Sequence, residues 1–94
     1  MMVVWSRRAS RHLVYIRQHI EKDSGQNASL VASRILEAVH LLQSHPEIGR
    51  PGRVIGTREL VVPQTPYVIP YRVRRERLEL IAVFHGRQKW PLKL

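Results

Sequence analysis

The sequence predicts an α+β fold in which an N-terminal strand precedes an antiparallel two-helix hairpin and a three-stranded antiparallel sheet, in the order β-α-α-β-β-β. Two patterns predict it: apolar residues recur every three or four positions in the first half and every second position from Thr57 onward. A chain of 94 residues, 44% of them apolar, has room for one core. Residues 1–94 are therefore predicted to form a single domain.

The first two elements are a strand and an amphipathic helix. Val3–Trp5 is a short apolar run and is predicted to be a strand. The stretch from Ser10 to Ile20 has helical spacing, with its polar side chains on the opposite side. Its apolar stripe consists of Ala9, Leu13, Ile16 and Ile20.

A second helix follows after a short linker. Gly25 is expected to end the first helix, and Asn27 or Ser29 to cap the second. Pro46 ends the second helix because proline disrupts helical structure. Its apolar positions are Val31, Ile35, Ala38, Val39 and Leu42. The short linker predicts that the two helices are antiparallel.

Three strand-like runs follow a Pro- and Gly-rich loop over residues 45–53: Thr57–Val62, Tyr67–Arg74 and Leu78–His85. Alternation predicts two faces. The inward set is Leu60, Val62, Tyr67, Ile69, Tyr71, Val73, Leu78, Leu80, Ala82 and Phe84. The outward set is Glu59, Val61, Val68, Pro70, Arg72, Arg74, Glu79, Ile81, Val83 and His85. Because Pro70 cannot donate to a ladder, we expect an edge strand or a bulge there.

The charge is strongly positive and lies late in the chain. Sixteen Lys and Arg against seven Asp and Glu give +9, and residues 49–94 hold ten of the bases but three of the acids. Such a surface favours nucleic acid, a ribosome or an acidic protein as partner. With no cysteine, disulfides, thiolate zinc sites and thiol nucleophiles are excluded, and a cytoplasmic location is expected.

No membrane or cofactor function is expected. The apolar start at Met1–Trp5 is interrupted by Arg7 and Arg8, which does not suit a secretion signal. No apolar run approaches the roughly 18 residues of a membrane span. The histidines are scattered, and phosphate-loop and dinucleotide motifs are absent, so neither a metal nor a cofactor is predicted.

Glu59, Arg72 and His85 form one candidate catalytic set, because the predicted register places all three outward. A carboxylate, a guanidinium and an imidazole could together cleave a phosphodiester without metal: one removes the 2′-hydroxyl proton, one stabilises the phosphorane and one protonates the leaving oxygen. Three outward polar side chains are also what an ordinary half-exposed sheet presents. Both interpretations stay open at this point.

The densest basic segment surrounds the link between the last two predicted strands. Its bases are Arg72, Arg74, Arg75 and Arg77, with Arg87, Lys89 and Lys93 further on. Glu76 and Glu79 are the acids nearby, so an anionic partner is expected at this edge. Trp90 before Pro91 is either a platform for stacking a base or a cap that packs on the sheet edge, and packing is preferred.

Four segments together resemble the RelE/ParE superfamily of bacterial toxin–antitoxin toxins over nearly the whole chain. They are Gly49-Arg50-Pro51-Gly52, Thr57-Arg58-Glu59-Leu60, Pro66-Tyr67-Val68-Ile69 with Tyr71-Arg72-Val73, and His85-Gly86-Arg87-Gln88-Lys89-Trp90-Pro91. The resemblance implies the same order of elements reached from periodicity. It also implies a cognate antitoxin, acidic and partly disordered when free, that binds the toxin in a hetero-oligomer and neutralises it.

The superfamily contains two kinds of toxin with different targets. RelE-like members cut messenger RNA in the ribosome, whereas ParE-like members are associated with poisoning DNA gyrase. In the RelE-like pattern a catalytic arginine follows a tyrosine in the third strand, and here Val68 follows Tyr67. Valine cannot stabilise a phosphorane, and the segment from His85 to Gln88 looks ParE-like.

The predicted function is therefore a growth-inhibiting, plasmid-stabilising type of toxin that poisons DNA gyrase and is not an enzyme. The predicted target-binding residues are Arg58, Arg72, Arg74, Arg87 and Trp90. A ribosome-dependent, metal-free endoribonuclease that uses Glu59, Arg72 and His85 on messenger RNA is the alternative. A basic RNA-binding module without toxicity is the third interpretation.

Overall fold

The computed structural model describes residues 1–91 and 94. The elements are β1 (Met2–Trp5), α1 (Arg7–Glu21), α2 (Gly25–Ser44), β2 (Arg50–Pro51), β3 (Arg58–Val61), β4 (Tyr67–Arg74), β5 (Arg77–Leu80) and β6 (Phe84–His85). The predicted α+β class and the order of its main elements are confirmed. The additions are the two-residue strand β2, inside the predicted loop, and the division of the last predicted strand into β5 and β6.

The strands form one sheet in the order β1-β5-β4-β3-β2, with β6 also paired to β4. Strands β3, β4 and β5 are antiparallel neighbours, as the short links predicted. The N-terminal strand joins the other side of β5 in parallel, and the helical hairpin carries the chain across the sheet from β1 at one edge to β2 at the other. Because β4 lies between two neighbours, its side chains occupy the middle of the sheet.

Serine side chains begin both helices. Ser6 Oγ accepts a hydrogen bond from the Ala9 N–H at 2.9 Å and donates one to the Ile81 carbonyl at 2.7 Å, which ties the start of α1 to the sheet. Ser24 Oγ accepts from the Asn27 N–H at 3.1 Å. The predicted caps Asn27 and Ser29 are therefore wrong, because Ser24 is the residue that accepts from a free N–H at the start of α2. The predicted stop at Gly25 is also wrong, because α1 ends at Glu21 and Gly25 is the first residue of α2.

The core lies between the two helices and one face of the sheet, called here the inner face. It consists of Ala9, Ile16, Ile35, Ala38, Val39, Leu42, Leu60, Val62, Ile69, Tyr71, Leu78, Leu80 and Val83. Tyr71 is fully buried, and its hydroxyl donates to the Pro46 carbonyl at 2.7 Å and accepts from the Gly49 N–H at 2.9 Å. A side chain at Gly49 would collide with this ring, so the glycine allows the loop to approach β4.

The chain between β5 and β6 contains a bulge. Tyr71 pairs with Leu80, whereas Val68 pairs with Phe84. Two residues of β4 thus lie opposite the three residues 81–83, so one extra residue is inserted. Pro70 lies in this interval, and its carbonyl accepts from the Ile81 N–H at 2.9 Å. The predicted bulge is confirmed, although β4 is a central strand and not an edge.

The bulge reverses the alternation beyond residue 80. His85 pairs with Tyr67 of the inner face, and Val83 belongs to the core. Phe84 pairs with Val68 on the opposite, outer face. The predicted placements of Val83 and His85 outward and of Phe84 inward are therefore wrong, because one inserted residue moves every later side chain to the other face.

Candidate target-binding face

The outer face of the sheet has a buried carboxylate on β3. Glu59 is 3% exposed, and Leu60 beside it belongs to the core, so Glu59 points away from the helices. Its Oε1 accepts from Nε and Nη2 of Arg50 at 3.3 and 3.1 Å, and its Oε2 accepts from the Arg53 backbone N–H at 2.8 Å. These contacts hold the loop of Arg50 and Arg53 against the sheet.

The same loop holds the C-terminal segment. The guanidinium carbon of Arg53 lies 3.7 Å from the centre of the Trp90 ring, a cation–π contact. Trp90 also packs on Phe84 at a ring-centre distance of 4.8 Å and donates from Nε1 to the His85 carbonyl at 3.4 Å. Trp90 is half-buried and packs on the sheet, as preferred from the sequence. Glu59, Arg53 and Trp90 are named here the tail clamp.

On the other side of β4, a carboxylate of β5 is shared by two arginines. Arg72 Nε donates to Glu79 Oε1 at 2.7 Å, and Arg74 Nε lies 3.3 Å from the same oxygen. The hydrogen bond from Arg72 and the charge of Arg74 lower the pKa of Glu79. Glu79 therefore stays ionised at neutral pH, and both guanidinium groups keep exposed edges, with 41% and 59% of their side chains accessible.

His85 lies on the helix side of the sheet and not with Glu59 and Arg72. Its ring meets Tyr67 edge-on at 5.7 Å in a cavity of about 390 Å³ that α1 closes with Tyr15 and His19. Its Nδ1 accepts from the Arg87 N–H at 3.1 Å. The candidate catalytic set of Glu59, Arg72 and His85 is therefore divided: Glu59 and Arg72 belong to separate ion pairs, and the inserted residue turns His85 away.

The five predicted target-binding residues are not equivalent. Arg72, Arg74 and Trp90 lie on or beside the outer face, and Arg87 is exposed in the turn after β6. Arg58 instead donates from Nη1 to the carbonyls of Glu47 and Gly49 at 3.0 and 2.8 Å, so it stabilises the loop before β2.

Sequence reasoning missed Arg50 and Arg53, because the Pro- and Gly-rich segment was interpreted only as a loop. The alternation that turned Glu59 outward offered a signal: a carboxylate on a covered face needs basic partners, and these two arginines lie close before it in the chain.

His12 joins α1 to the bulge. Its Nδ1 accepts a hydrogen bond from the Val83 N–H at 3.1 Å, and its ring contacts Phe84 at 5.3 Å. Burial, together with the positive charge of Arg8, lowers the pKa of His12. The neutral ring is thus the form that fits this position, because an Nδ1 that carries a proton cannot accept. No pattern in the sequence indicates this role.

Two further properties concern ligands and membranes. Within residues 1–91 and 94, no three His, Cys, Asp or Glu side chains are grouped so that they could hold a metal ion. Neither helix of the described chain is long and apolar enough to cross a membrane.

Comparisons with known proteins agree with this fold. The profile of the family described as "ParE toxin of type II toxin-antitoxin system, parDE" matches residues 3–90. The chain is 47% identical to "Putative toxin Y4kP" of Sinorhizobium fredii, over 93% of this chain and 90% of that protein. It is 35% identical to "Toxin RelE2" of Caulobacter vibrioides, over 89% of this chain and 93% of that protein.

A solved structure shares the fold. The chain superposes on a chain of the "Chromosomal ParDE TA system from P. aeruginosa" with a TM-score of 0.83 and 28% identity, covering 90% of this chain and 95% of that one. Fold and sequence thus define a toxin of a type II toxin–antitoxin system. Within that class, the chain belongs to the ParE toxin family. The resemblance to the RelE/ParE superfamily is confirmed.

Proposed function

We propose that this toxin stops growth by poisoning DNA gyrase in the cytoplasm, without catalysing RNA cleavage, and that a cognate antitoxin neutralises it. The observation that supports the gyrase target most directly is Val68. It stands directly after Tyr67, where the RelE-like pattern has a catalytic arginine, and it is only 5% exposed opposite Phe84. A buried valine supplies no donor to a developing negative charge.

The divided catalytic set supports the same proposal. A general acid and a general base must both reach the reacting phosphate, within hydrogen-bond distance or through one water. Here Glu59 is occupied by Arg50 and Arg53, and the ring of His85 lies in the cavity beneath α1. The outer face keeps arginines and an aromatic ring, which suit binding to a target.

The decisive experiment compares two targets with one preparation of toxin. Purified toxin is added to gyrase with relaxed plasmid, and separately to ribosomes programmed with a short message. We expect loss of supercoiling and accumulation of cleaved DNA, with the message intact. Codon-phased cleavage that disappears in His85→Gln would instead establish the ribonuclease, an alternative to which the similarity to Toxin RelE2 gives weight.

Variants of the outer face test which residues contact the target. We expect Arg72→Ala and Arg87→Ala to weaken gyrase inhibition, whereas Arg17→Ala, an exposed arginine of α1, serves as the matched control. Equal inhibition by all three would remove the outer face from the contact. Thermal melts should show little change, since exposed substitutions usually alter stability by within about 0.5 kcal/mol.

For the antitoxin, the groove between α2 and β3 is the proposed contact. Leu41, Ile48 and Val61 line it and are 50, 43 and 46% exposed, around a volume of about 440 Å³. A segment with apolar side chains and acidic flanks would cover this groove and offset the +9 charge. Leu41→Asp on α2 should weaken binding to the product of the adjacent gene, whereas Val14→Asp on α1 should not. Equal binding by both variants would place the antitoxin elsewhere.

A further inference from the structure

The turn between β4 and β5 has an unfavourable sequence for its geometry. Only Arg75 and Glu76 connect the strands, with φ angles of 50° and 60°. A two-residue hairpin turn with both φ angles positive favours Asn-Gly, because larger side chains are disfavoured in the left-handed region. Folding stability therefore disfavours both Arg75 and Glu76 at this turn.

Electrostatic repulsion adds to this cost. Arg74 and Arg77 lie directly opposite each other at the base of the turn, and like charges at paired positions destabilise a hairpin. Glu79 is already shared by Arg72 and Arg74. Arg75 and Arg77 form no ion pair with any residue in the described part of the chain. The four arginines 72, 74, 75 and 77 are named here the arginine hairpin.

The groove beside the arginine hairpin suits an anion, because three of its four lining residues are arginines. Its volume is about 500 Å³, and its lining residues are Arg74, Arg75, Arg77 and Glu79. Among the described residues no apolar side chain lines it, so a peptide that folds on binding has little there against which to bury apolar surface. Guanidinium groups match phosphate through paired N–H donors. The chemistry of the groove therefore favours a phosphodiester backbone over an acidic peptide.

The proposed target favours duplex DNA over duplex RNA, because gyrase acts on duplex DNA. Arg74, Arg75 and Arg77 are exposed at the tip of β4 and β5, so phosphates along the outside of a DNA duplex can reach their guanidinium groups. We propose that the arginine hairpin binds the phosphate backbone of duplex DNA, so that the toxin engages gyrase together with its DNA. This inference rests on the proposed gyrase target and names the second component of that site. Bound phosphates would relieve the repulsion between Arg74 and Arg77.

The test measures binding of the full-length toxin to a fluorescently labelled 20-base-pair DNA duplex at 50 to 200 mM salt. The variant is Arg75→Gln with Arg77→Gln, and the matched control is Arg11→Gln with Arg17→Gln, which removes the same charge from exposed positions of α1. The slope of log affinity against log salt concentration is negative. We expect it to become shallower by about 0.9 for each hairpin arginine removed, and to change little in the control. Melting curves should show both variants folded.

Three results would overturn the inference. Equal weakening in the two double variants would mean that overall charge, and not the hairpin, attracts DNA. Unchanged binding in the hairpin variant would mean that these arginines do not contact DNA. Tighter binding to an RNA duplex of the same sequence would assign the hairpin to RNA.

A gyrase assay separates this inference from the proposed function. If the wild-type toxin inhibits gyrase, the hairpin variant should need about tenfold more protein for half inhibition, in line with the loss of two phosphate contacts. Equal inhibition would refute the inference while the gyrase target stands. If the wild-type toxin leaves gyrase active, the proposed function fails, and the DNA titration still decides whether the hairpin binds DNA.

Discussion

The two sides of β4 hold arginines in opposite circumstances. On the β3 side, Arg50 and Arg53 meet the buried carboxylate of Glu59, and Arg53 also stacks on Trp90. On the β5 side, Arg74 faces Arg77 across the ladder, and the acceptor nearby, Glu79, is partly exposed. The arginines around Glu59 are thus held by a buried acceptor, whereas the arginines around Glu79 share an acceptor that solvent reaches.

This difference indicates that burial of the acceptor, and not the number of bases, separates arginines held by the fold from arginines whose guanidinium groups stay accessible. A carboxylate taken out of water must be hydrogen-bonded, so the arginines around Glu59 are held in place. Ion pairs at exposed positions contribute only about 0 to 1 kcal/mol, so Arg72 and Arg74 can exchange Glu79 for a ligand at low cost. The tail clamp and the arginine hairpin should therefore respond differently to mutation.

The largest effect is expected from Glu59→Leu. It removes the acceptor of the Arg53 N–H and of the Arg50 guanidinium, and should lower the free energy of unfolding by about 2 to 3 kcal/mol, since both arginine side chains remain half-exposed. Urea unfolding measures it. Glu76→Leu in the turn is the control and should change little. A loss at Glu59 no greater than at Glu76 would contradict the tail clamp.

Trp90→Ala should come next, at about 2 kcal/mol, because truncating a fully buried tryptophan costs about 3 to 5 kcal/mol and this ring is half-buried. It removes the contact with Phe84 and the cation–π contact with Arg53. Trp90→Phe should recover most of the loss. If the alanine and phenylalanine variants unfold at the same urea concentration, the aromatic ring at position 90 does not hold the C-terminal segment against the sheet.

A smaller effect should appear on lowering the pH from 8 to 5.5. Because the pKa of His12 is below its ordinary value in the folded protein, the unfolded chain takes up the proton first. Stability from this residue is complete above the ordinary pKa and is lost as the pH falls through the folded one. The melting temperature should drop more for the wild type than for His12→Gln. Equal drops in melting temperature would show that protonation of His12, which accepts from Val83, does not account for the loss of stability.

The ion pairs of Glu79 with the arginine hairpin should be lost only at a lower pH, because the carboxyl pKa of Glu79 is lowered. Its contribution is present above the ordinary carboxyl pKa and disappears as the pH falls through the lowered value. The β6 end of the sheet and the hairpin end should thus lose stability in separate pH ranges.

The smallest effect, and one of opposite sign, is expected for Arg77→Glu. It replaces the like-charge pair with Arg74 by an opposite-charge pair and should stabilise the protein by about 0.2 to 1 kcal/mol. The same variant should bind duplex DNA less well. A loss of stability would show that Arg77 has a structural role. Thermal melts and the DNA titration on one preparation provide both answers.

Local sequence patterns determine much of the secondary structure of this protein. The amphipathic stripe of α1, the proline after α2 and the alternation in β3, β4 and β5 depend on residues within four positions of each other. Those elements were predicted correctly for that reason. The toxin superfamily was recognisable because four short segments, among them Thr57-Arg58-Glu59-Leu60, occur in its order along the chain.

Only the tertiary structure decided which side chains meet. Pro70 indicated a bulge, but the extra residue lies on the other strand, and the pleat repeats every two residues, so that single insertion sent His85 to the inner face and Phe84 to the outer. The partners of Glu59 depend on how the loop of Arg50 and Arg53 folds back along β3. Such contacts are settled by pairing between distant segments, which the spacing within each segment does not encode.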